Sequence, residues 1–124
     1  MARLTSFDAI ADSVGILVAY PDGWRRSWAD GRMGTPADRQ GVDDVAFVLA
    51  MIDDIARTVP IDRHRIYVAG ISNGGFMTER LACEAGDRFA GFGVDAATLS
   101  DSLAERCRPS PVSMMFFNGT ADPL

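Results

Sequence analysis

The chain has 124 residues, of which 48% are hydrophobic and 23% charged, and its formal net charge is −5. This length and composition predict one soluble globular domain with a modest core. The acidic balance and the scattered arginines argue against a nucleic acid or an anionic membrane as partner, because phosphate binding needs clustered Lys and Arg. No apolar run reaches the roughly 20 residues of a membrane span, and the N-terminus lacks the apolar core of a signal peptide.

The first part of the chain predicts one helix and one strand. Residues 6–13 place apolar side chains at helical spacing, with Thr5 as a cap. Residues 15–21 form a continuous, β-rich apolar run that ends at a proline. Such a run is typical of a strand buried on both faces in a parallel sheet.

A loop and a longer helix follow. Residues 24–40 are polar and rich in Gly and Asp, which predicts a loop. Residues 41–60 carry apolar side chains on one face of a helix. Asp43 and Asp44 fall in its first turn, where negative charge suits the helix dipole.

The second half of the chain alternates between strands and helices. A strand is predicted at 65–71 and buried strands at 89–94 and 112–117, with helices at 74–86 and, shorter, at about 98–106. This alternation indicates βαβ units and a parallel sheet covered on both sides. In such sheets, ligands bind at the carboxyl ends of the strands.

A short motif lies at one of these carboxyl ends. Residues 70–74 have the sequence GISNG, which is of the form G-x-S-x-G, between a predicted strand and a predicted helix. That is the context of a nucleophile elbow, with Ser72 exposed above the sheet. Gly70 and Gly74 would let strand and helix approach closely, and the backbone N–H of Asn73 would point toward a developing oxyanion. The alternative is a tight turn without chemistry.

A carboxylate follows the last predicted strand. Asp122 could orient a histidine and stabilise its cation. The alternative is a turn aspartate, since the surrounding Gly, Thr and Pro are turn formers, and Asp95 is a competing candidate. The order Ser, then Asp, then His is the one expected for this kind of site.

The one histidine of the chain is His64. It precedes the predicted strand that Ser72 follows, and eight residues at about 3.3 Å each put the two roughly 25 Å apart. His64 is therefore predicted to be a solvated turn residue, and a Ser-His-Asp triad within these 124 residues is not expected.

Five segments carry a resemblance to a known family. They are LVAYPDG, SWADGR, GVDDVAFV, DRHRIYVAGISNGGFMTERLACE and PVSMMFFNGTADPL. In this order they resemble the α/β-hydrolase esterases that comprise polyhydroxybutyrate depolymerases and feruloyl esterases. The resemblance covers nearly the whole chain. It implies Ser72 as nucleophile and Asp122 as triad acid, often an extracellular location, and hydroxyalkanoate polyesters or acylated plant polysaccharides as substrates.

The resemblance also implies that Cys83 and Cys107 pair. The residues alone leave two buried thiols as the alternative, because their spacing matches no metal site. The family's His-Gly oxyanion strand and its catalytic histidine have no counterpart in residues 1–124. The predicted fold is therefore α/β, a single partial α/β-hydrolase domain over residues 1–124 that lacks the oxyanion strand and the C-terminal His segment. Open sheet edges would then allow self-association.

The predicted function is a carboxylic-ester hydrolase with an acyl-enzyme mechanism and with no metal or organic cofactor. Two alternatives stay open. One is a catalytically inactive module that binds or associates. The other is a peptidase or an acyltransferase, because the elbow does not encode the acyl acceptor. Trp24 and Trp28 could line a substrate pocket, although loop aromatics often serve only packing.

Overall fold

A three-stranded parallel sheet forms the centre of the protein. In the computed structural model, which describes residues 1–108 and 111–122, the strands are β1 (Tyr67–Ile71), β2 (Gly91–Asp95) and β3 (Met114–Phe117). Their order is β1-β2-β3, and both neighbouring pairs are parallel. The predicted α/β class with a parallel sheet is confirmed.

Six helices accompany the sheet in the described part of the chain. They are α1 (Ala2–Thr5), α2 (Phe7–Val14), α3 (Pro36–Gln40), α4 (Asp44–Thr58), α5 (Asn73–Ala85) and α6 (Asp101–Ala104), with 3-10 turns at Trp24–Arg26 and Gly86–Arg88. The four predicted helices are confirmed: α4 and α6 are shorter than predicted, and α2 and α5 have the predicted length but are displaced by one residue. None of the described helices is long and apolar enough to cross a membrane.

Helix α3 lies within the segment predicted to be a loop. Thr35 and Asp38 form a capping box, and Pro36 occupies the first helical turn. This is a helix-start signal that the sequence contains. The N-cap of α2 is also different from the prediction: it is Ser6, because α1 ends at Thr5 and Ser6 takes the left-handed conformation between the two helices.

The core lies between α4, α5 and one face of the sheet. Its buried members are Val45, Val48, Ile52, Met77, Leu81, Ala82, Ala85 and Phe92. The opposite face of the sheet carries Tyr67, Met115 and Phe117, which are exposed. The prediction of cover on both faces is therefore wrong for the described residues, as is the prediction that residues 112–117 form a buried strand. No described helix lies on the Tyr67 face. Phe116, on the other face, is exposed as well, because β3 is the last strand of the sheet.

Residues 15–21 do not form a strand. Leu17 is 56% exposed and Ile16 is exposed as well. A strand needs a neighbour that satisfies its backbone N–H and C=O groups. The sheet begins at β1, and no described strand lies on the outer side of β1 to pair with this run.

Candidate active site

Ser72 occupies a strained turn between β1 and α5. Its backbone angles are φ 53° and ψ −122°, a left-handed conformation that is rare for a residue with a side chain. The N–H of Ser72 donates to the carbonyl oxygen of Asp95 at 2.9 Å, and its own carbonyl accepts from the N–H of Phe76 at 3.0 Å. The end of β2 and the first turn of α5 thus hold the serine in this conformation, and the residue is exposed.

Glycines make the close approach at this turn possible. A Cβ on Gly70 would lie only 2.1 Å from the carbonyl oxygen of Gly74, so no other residue fits there. A Cβ on Gly74 would itself meet nothing within 4 Å, so the close approach of strand and helix restricts the residue at Gly70. The position that sequence reasoning missed is Gly75, where a Cβ would lie 2.7 Å from the Cβ of Ala97.

Asn73, the first residue of α5, carries more than the predicted backbone donor. Its N–H belongs to the first helical turn, where backbone donors have no partner within the helix. Its side-chain oxygen accepts from the N–H of Trp28 at 2.7 Å. Its side-chain nitrogen donates to the carbonyl oxygen of Trp28 at 3.1 Å and to Oδ2 of Asp30 at 2.5 Å. The residue after the serine is therefore fixed to a loop 45 residues earlier in the chain.

The carboxylate of Asp30 is completely buried and accepts hydrogen bonds from several donors. Nε and Nη2 of Arg32 donate to its Oδ2 at 3.1 and 2.8 Å, and the backbone N–H of Arg32 donates to Oδ1 at 3.1 Å. The Arg32 guanidinium also lies 3.6 Å from the ring centroid of Phe76 on α5. This arrangement places a cation over the face of an aromatic ring beside the elbow.

Two further hydrogen bonds tie the same loop to the helices. Buried Asp44 accepts from the N–H of Ala29 at 2.6 Å, and Nη1 of Arg80 donates to the carbonyl oxygen of Ala29, also at 2.6 Å. Asp43, not Asp44, is the N-cap of α4 and accepts from the N–H of Ala46. The two adjacent aspartates, predicted to serve the helix dipole alike, thus have different roles.

Asp122 lies beyond the carboxyl end of β3. It lines a cavity of about 120 Å³ together with Ala96, Ala97, Thr98, Asn118 and Gly119. Its N–H donates to the carbonyl oxygen of Gly119 at 3.1 Å. Neighbouring strands lie about 4.8 Å apart, so the strands that precede Ser72 and Asp122 are roughly 10 Å apart, with β2 between them. Asp95, the competing candidate, ends β2 and is exposed.

His64 lies at the opposite edge of the sheet. It is an exposed residue in the turn before β1, and its N–H donates to Oδ1 of Asp62 at 2.9 Å. Ser72 follows the same strand at its other end. The predicted separation of His64 from the serine is confirmed.

The two loop tryptophans differ in their surroundings. The ring of Trp28 is stacked on Phe47 at a centroid distance of 6.3 Å and is packed against the core. Trp24 is 50% exposed and lines an open cleft of about 250 Å³ with Arg25, Pro36, Arg39 and Gln40. Of the two, Trp24 has the ring that a ligand could contact.

Cys83 and Cys107 form a disulfide, and their Cα atoms are 5.2 Å apart. The bond joins α5 to the segment after α6.

Elsewhere on α5, Glu79 is 1% exposed, and neither of its carboxylate oxygens has a hydrogen-bond partner among the described residues. This burial raises the pKa of Glu79 to about 7. The described residues contain no cluster of three or more His, Cys, Asp or Glu side chains that could hold a metal ion.

Comparison with known proteins finds relatives that are named esterases and a depolymerase. "Putative esterase NocK" of Nocardia uniformis subsp. tsuyamanensis is 33% identical over 124 residues, which are 100% of this chain and 36% of the relative. Feruloyl esterase B of Piromyces equi is 32% identical over 115 residues, 87% of this chain and 20% of the relative. Poly(3-hydroxybutyrate) depolymerase of Ralstonia pickettii is 56% identical over 36 residues, 29% of this chain and 7% of the relative.

The chain is a relative of esterases. The predicted resemblance is confirmed by these names. The chain spans 36% or less of the length of these three relatives. No family model matches the chain, and no solved structure matches it.

Proposed function

We propose that this chain carries the nucleophile of a carboxylic-ester hydrolase, and that the nucleophile is Ser72. The observation that carries the proposal is the backbone of Ser72, with φ 53° and ψ −122° at the junction of β1 and α5. Ser6 also has a positive φ, but its ψ of 25° lies in the left-handed helical region. The ψ of Ser72 lies outside that region, where a residue with a side chain costs more free energy. Strain of this kind at the end of a parallel strand supports a functional role for the side chain.

The proposed reaction begins with attack of Ser72 Oγ on the ester carbonyl carbon. As the new C–O bond forms, the hydroxyl proton passes to a histidine, and the carbonyl oxygen becomes an oxyanion that the N–H of Asn73 stabilises. The tetrahedral species collapses, the alcohol leaves with that proton, and the acyl group stays on Ser72. Water, activated by the same histidine, then attacks the acyl-enzyme and releases the acid.

The base in this scheme is not His64, which lies at the opposite edge of the sheet. We assign it to a histidine outside residues 1–124, in a longer polypeptide or on another chain. Asp122 would orient it. The roughly 10 Å between the strands that precede Ser72 and Asp122 leaves room for an imidazole with a hydrogen bond of about 3 Å on each side.

The same proposal covers the fold, the location and the substrate. Residues 1–124 would form a single partial α/β-hydrolase domain, and the unpaired outer side of β1 and the apolar run 15–21 suit an additional strand between them. The disulfide suits an oxidising, extracellular location. The substrate would be a hydroxyalkanoate polyester or an acylated polysaccharide, with Trp24 beside the acyl or sugar group, and the open edge of β1 is where self-association would occur.

Hydrolysis of p-nitrophenyl acetate tests the proposal. Residues 1–124 alone should show near-background turnover. Loss of a triad member leaves about 10³–10⁴-fold acceleration over water, and loss of one oxyanion donor removes about 10²–10³-fold of that. A longer form that supplies the histidine should turn over the ester, Ser72→Ala should abolish this turnover, and His64→Ala should leave it unchanged. Equal turnover by the Ser72→Ala variant would refute the role of the serine.

A further inference from the structure

We propose that the side chains of Asn73 and Asp30 are positioning residues for the oxyanion donor, and the inference rests on the proposed function. We use the name elbow latch for Asn73, Trp28, Asp30 and Arg32. The latch lies outside the nucleophile, its acid and its base. It connects the first residue of α5 to the loop that leads to the Trp24 cleft.

The amide of Asn73 is held in one orientation. Its oxygen accepts from the N–H of Trp28, and its nitrogen uses both hydrogens, one toward the carbonyl of Trp28 and one toward Asp30. Rotation of the amide by half a turn would oppose acceptor to acceptor and donor to donor at all three contacts. The side chain therefore has no second arrangement of similar energy.

The loop side of the latch is equally constrained. The Asp30 carboxylate is completely buried, so it is stable as a charge only while its hydrogen-bond donors remain in place. Those donors are the Asn73 amide and the backbone and guanidinium of Arg32. Since the Arg32 guanidinium also lies over the ring of Phe76, the latch contacts α5 at two residues one turn apart.

The latch acts on the reaction through one peptide group. The planar unit between Ser72 and Asn73 contains the proposed oxyanion donor, the N–H of Asn73. On one side this unit is held by the strained backbone of Ser72, whose N–H is bonded to Asp95. On the other side it is held by the Asn73 side chain. Loss of the latch would let the peptide group rotate. A misplaced N–H then stabilises the developing oxyanion less, which raises the free energy of the transition state.

A control separates this role from simple anchoring of the loop. Nη1 of Arg80 donates to the carbonyl oxygen of Ala29 at 2.6 Å, so it fixes the same loop to the same helix. Arg80 lies seven residues beyond Asn73, which is roughly 10 Å along a helix. Arg80→Gln therefore removes a loop contact of comparable length at a distance from the peptide group.

The kinetic experiment uses p-nitrophenyl acetate and the form of the protein that shows Ser72-dependent hydrolysis. Asp30→Ala should lower kcat about 10- to 100-fold with KM within a factor of two. Asp30→Asn, which keeps an acceptor for the Asn73 amide, should recover part of this loss. Arg80→Gln should keep kcat within a factor of two. Equal losses of kcat in Asp30→Ala and Arg80→Gln would overturn the proposal.

A second measurement does not depend on hydrolysis. In residues 1–124, amide hydrogen exchange at Trp28 and Phe76 should become about tenfold faster in Asp30→Ala and should not change in Arg80→Gln, because these N–H groups donate to the Asn73 side chain and to the carbonyl oxygen of Ser72. Unchanged exchange in Asp30→Ala would also overturn the proposal. If Ser72→Ala proved as active as the parent, the proposed function would fail, whereas faster exchange in Asp30→Ala alone would still support the latch.

Discussion

Two segments of the protein reverse the expectation that apolar residues are buried and polar ones exposed. Residues 15–21 are apolar, yet Ile16 and Leu17 are exposed. Residues 27–38 are mostly polar, yet Ser27 is buried and Asp30 is completely buried. The apolar run forms no regular element, whereas the polar segment contains a capped helix and part of the elbow latch.

Burial in this protein therefore depends on whether a segment has hydrogen-bond partners or a neighbouring strand. The polar segment obtains them from three places: Asp44 on α4 and both Asn73 and Arg80 on α5. Each buried polar group there has a donor or acceptor opposite it, which removes the cost of its desolvation. The apolar run needs a strand beside it, and the described sheet supplies none.

The close contact between β1 and α5 at the elbow gives the largest expected effect. Gly70→Ala would place a Cβ 2.1 Å from a backbone oxygen, so strand and helix must separate. We expect a loss of about 4 kcal/mol or more in the free energy of unfolding. Gly74→Ala is the matched control, because its Cβ meets nothing within 4 Å, and it should be neutral or stabilising by up to about 1 kcal/mol. Similar values for both variants in urea denaturation would contradict the geometry of the elbow.

Glu79 is an exception to this pattern, since its buried carboxylate has no hydrogen-bond partner among the described residues. Its pKa in the folded protein is raised from 4.5 to about 7 by burial. Below pH 4.5 both the folded and unfolded states are protonated, and the stability is complete. Between pH 4.5 and 7 the unfolded state ionises first, so the free energy of unfolding falls by ~3 kcal/mol, and above pH 7 it falls no further on account of Glu79. Glu79→Gln should remove this fall.

The measurement is the free energy of unfolding at pH values from 4.5 to 8. The control is Glu84→Gln, five residues further along the same helix, because Glu84 is exposed and paired with Arg80. The parent and Glu84→Gln should lose stability with rising pH, and Glu79→Gln should not. If the free energy of unfolding of the parent protein did not change over this pH range, Glu79 would have hydrogen-bond partners or water at its carboxylate in solution.

The adjacent aspartates of α4 test the polar segment directly. Asp44→Ala would leave the buried N–H of Ala29 without an acceptor, and we expect a loss of about 2 kcal/mol in the free energy of unfolding. Asp43→Ala removes an exposed N-cap that accepts from Ala46, for which the expected loss is about 1 kcal/mol. A larger effect at Asp43 than at Asp44 would indicate that the loop is not fixed as described.

The same comparison shows what sequence reasoning could and could not predict. The elements β1 and α5 were predictable because their signals are local: an apolar run, a G-x-S-x-G motif and a helical pattern. The capping box that begins at Thr35 was equally local and was missed. The latch was not predictable, since it joins Asn73 to Trp28 across 45 residues. Nor was the exposure of residues 15–21, which depends on a neighbour and not on the run itself.

The smallest expected effect lies in the apolar run. Leu17 is 56% exposed, and surface substitutions usually change stability by no more than about 0.5 kcal/mol. Leu17→Ala should therefore leave the free energy of unfolding of residues 1–124 nearly unchanged. Leu81→Ala is the control of identical chemistry, since Leu81 is 2% exposed and lies in the core. It should cost about 2–5 kcal/mol.

A cost above about 2 kcal/mol for Leu17→Ala in residues 1–124 would show that the run is buried in solution, as the sequence predicted for a strand. The free energy of unfolding of the same two variants should also be measured in a longer form of the protein. If an additional strand there pairs with residues 15–21, Leu17 becomes a core residue, and the cost of its truncation should rise toward that of Leu81. The rise would measure the burial that a neighbouring strand supplies to an unchanged apolar sequence.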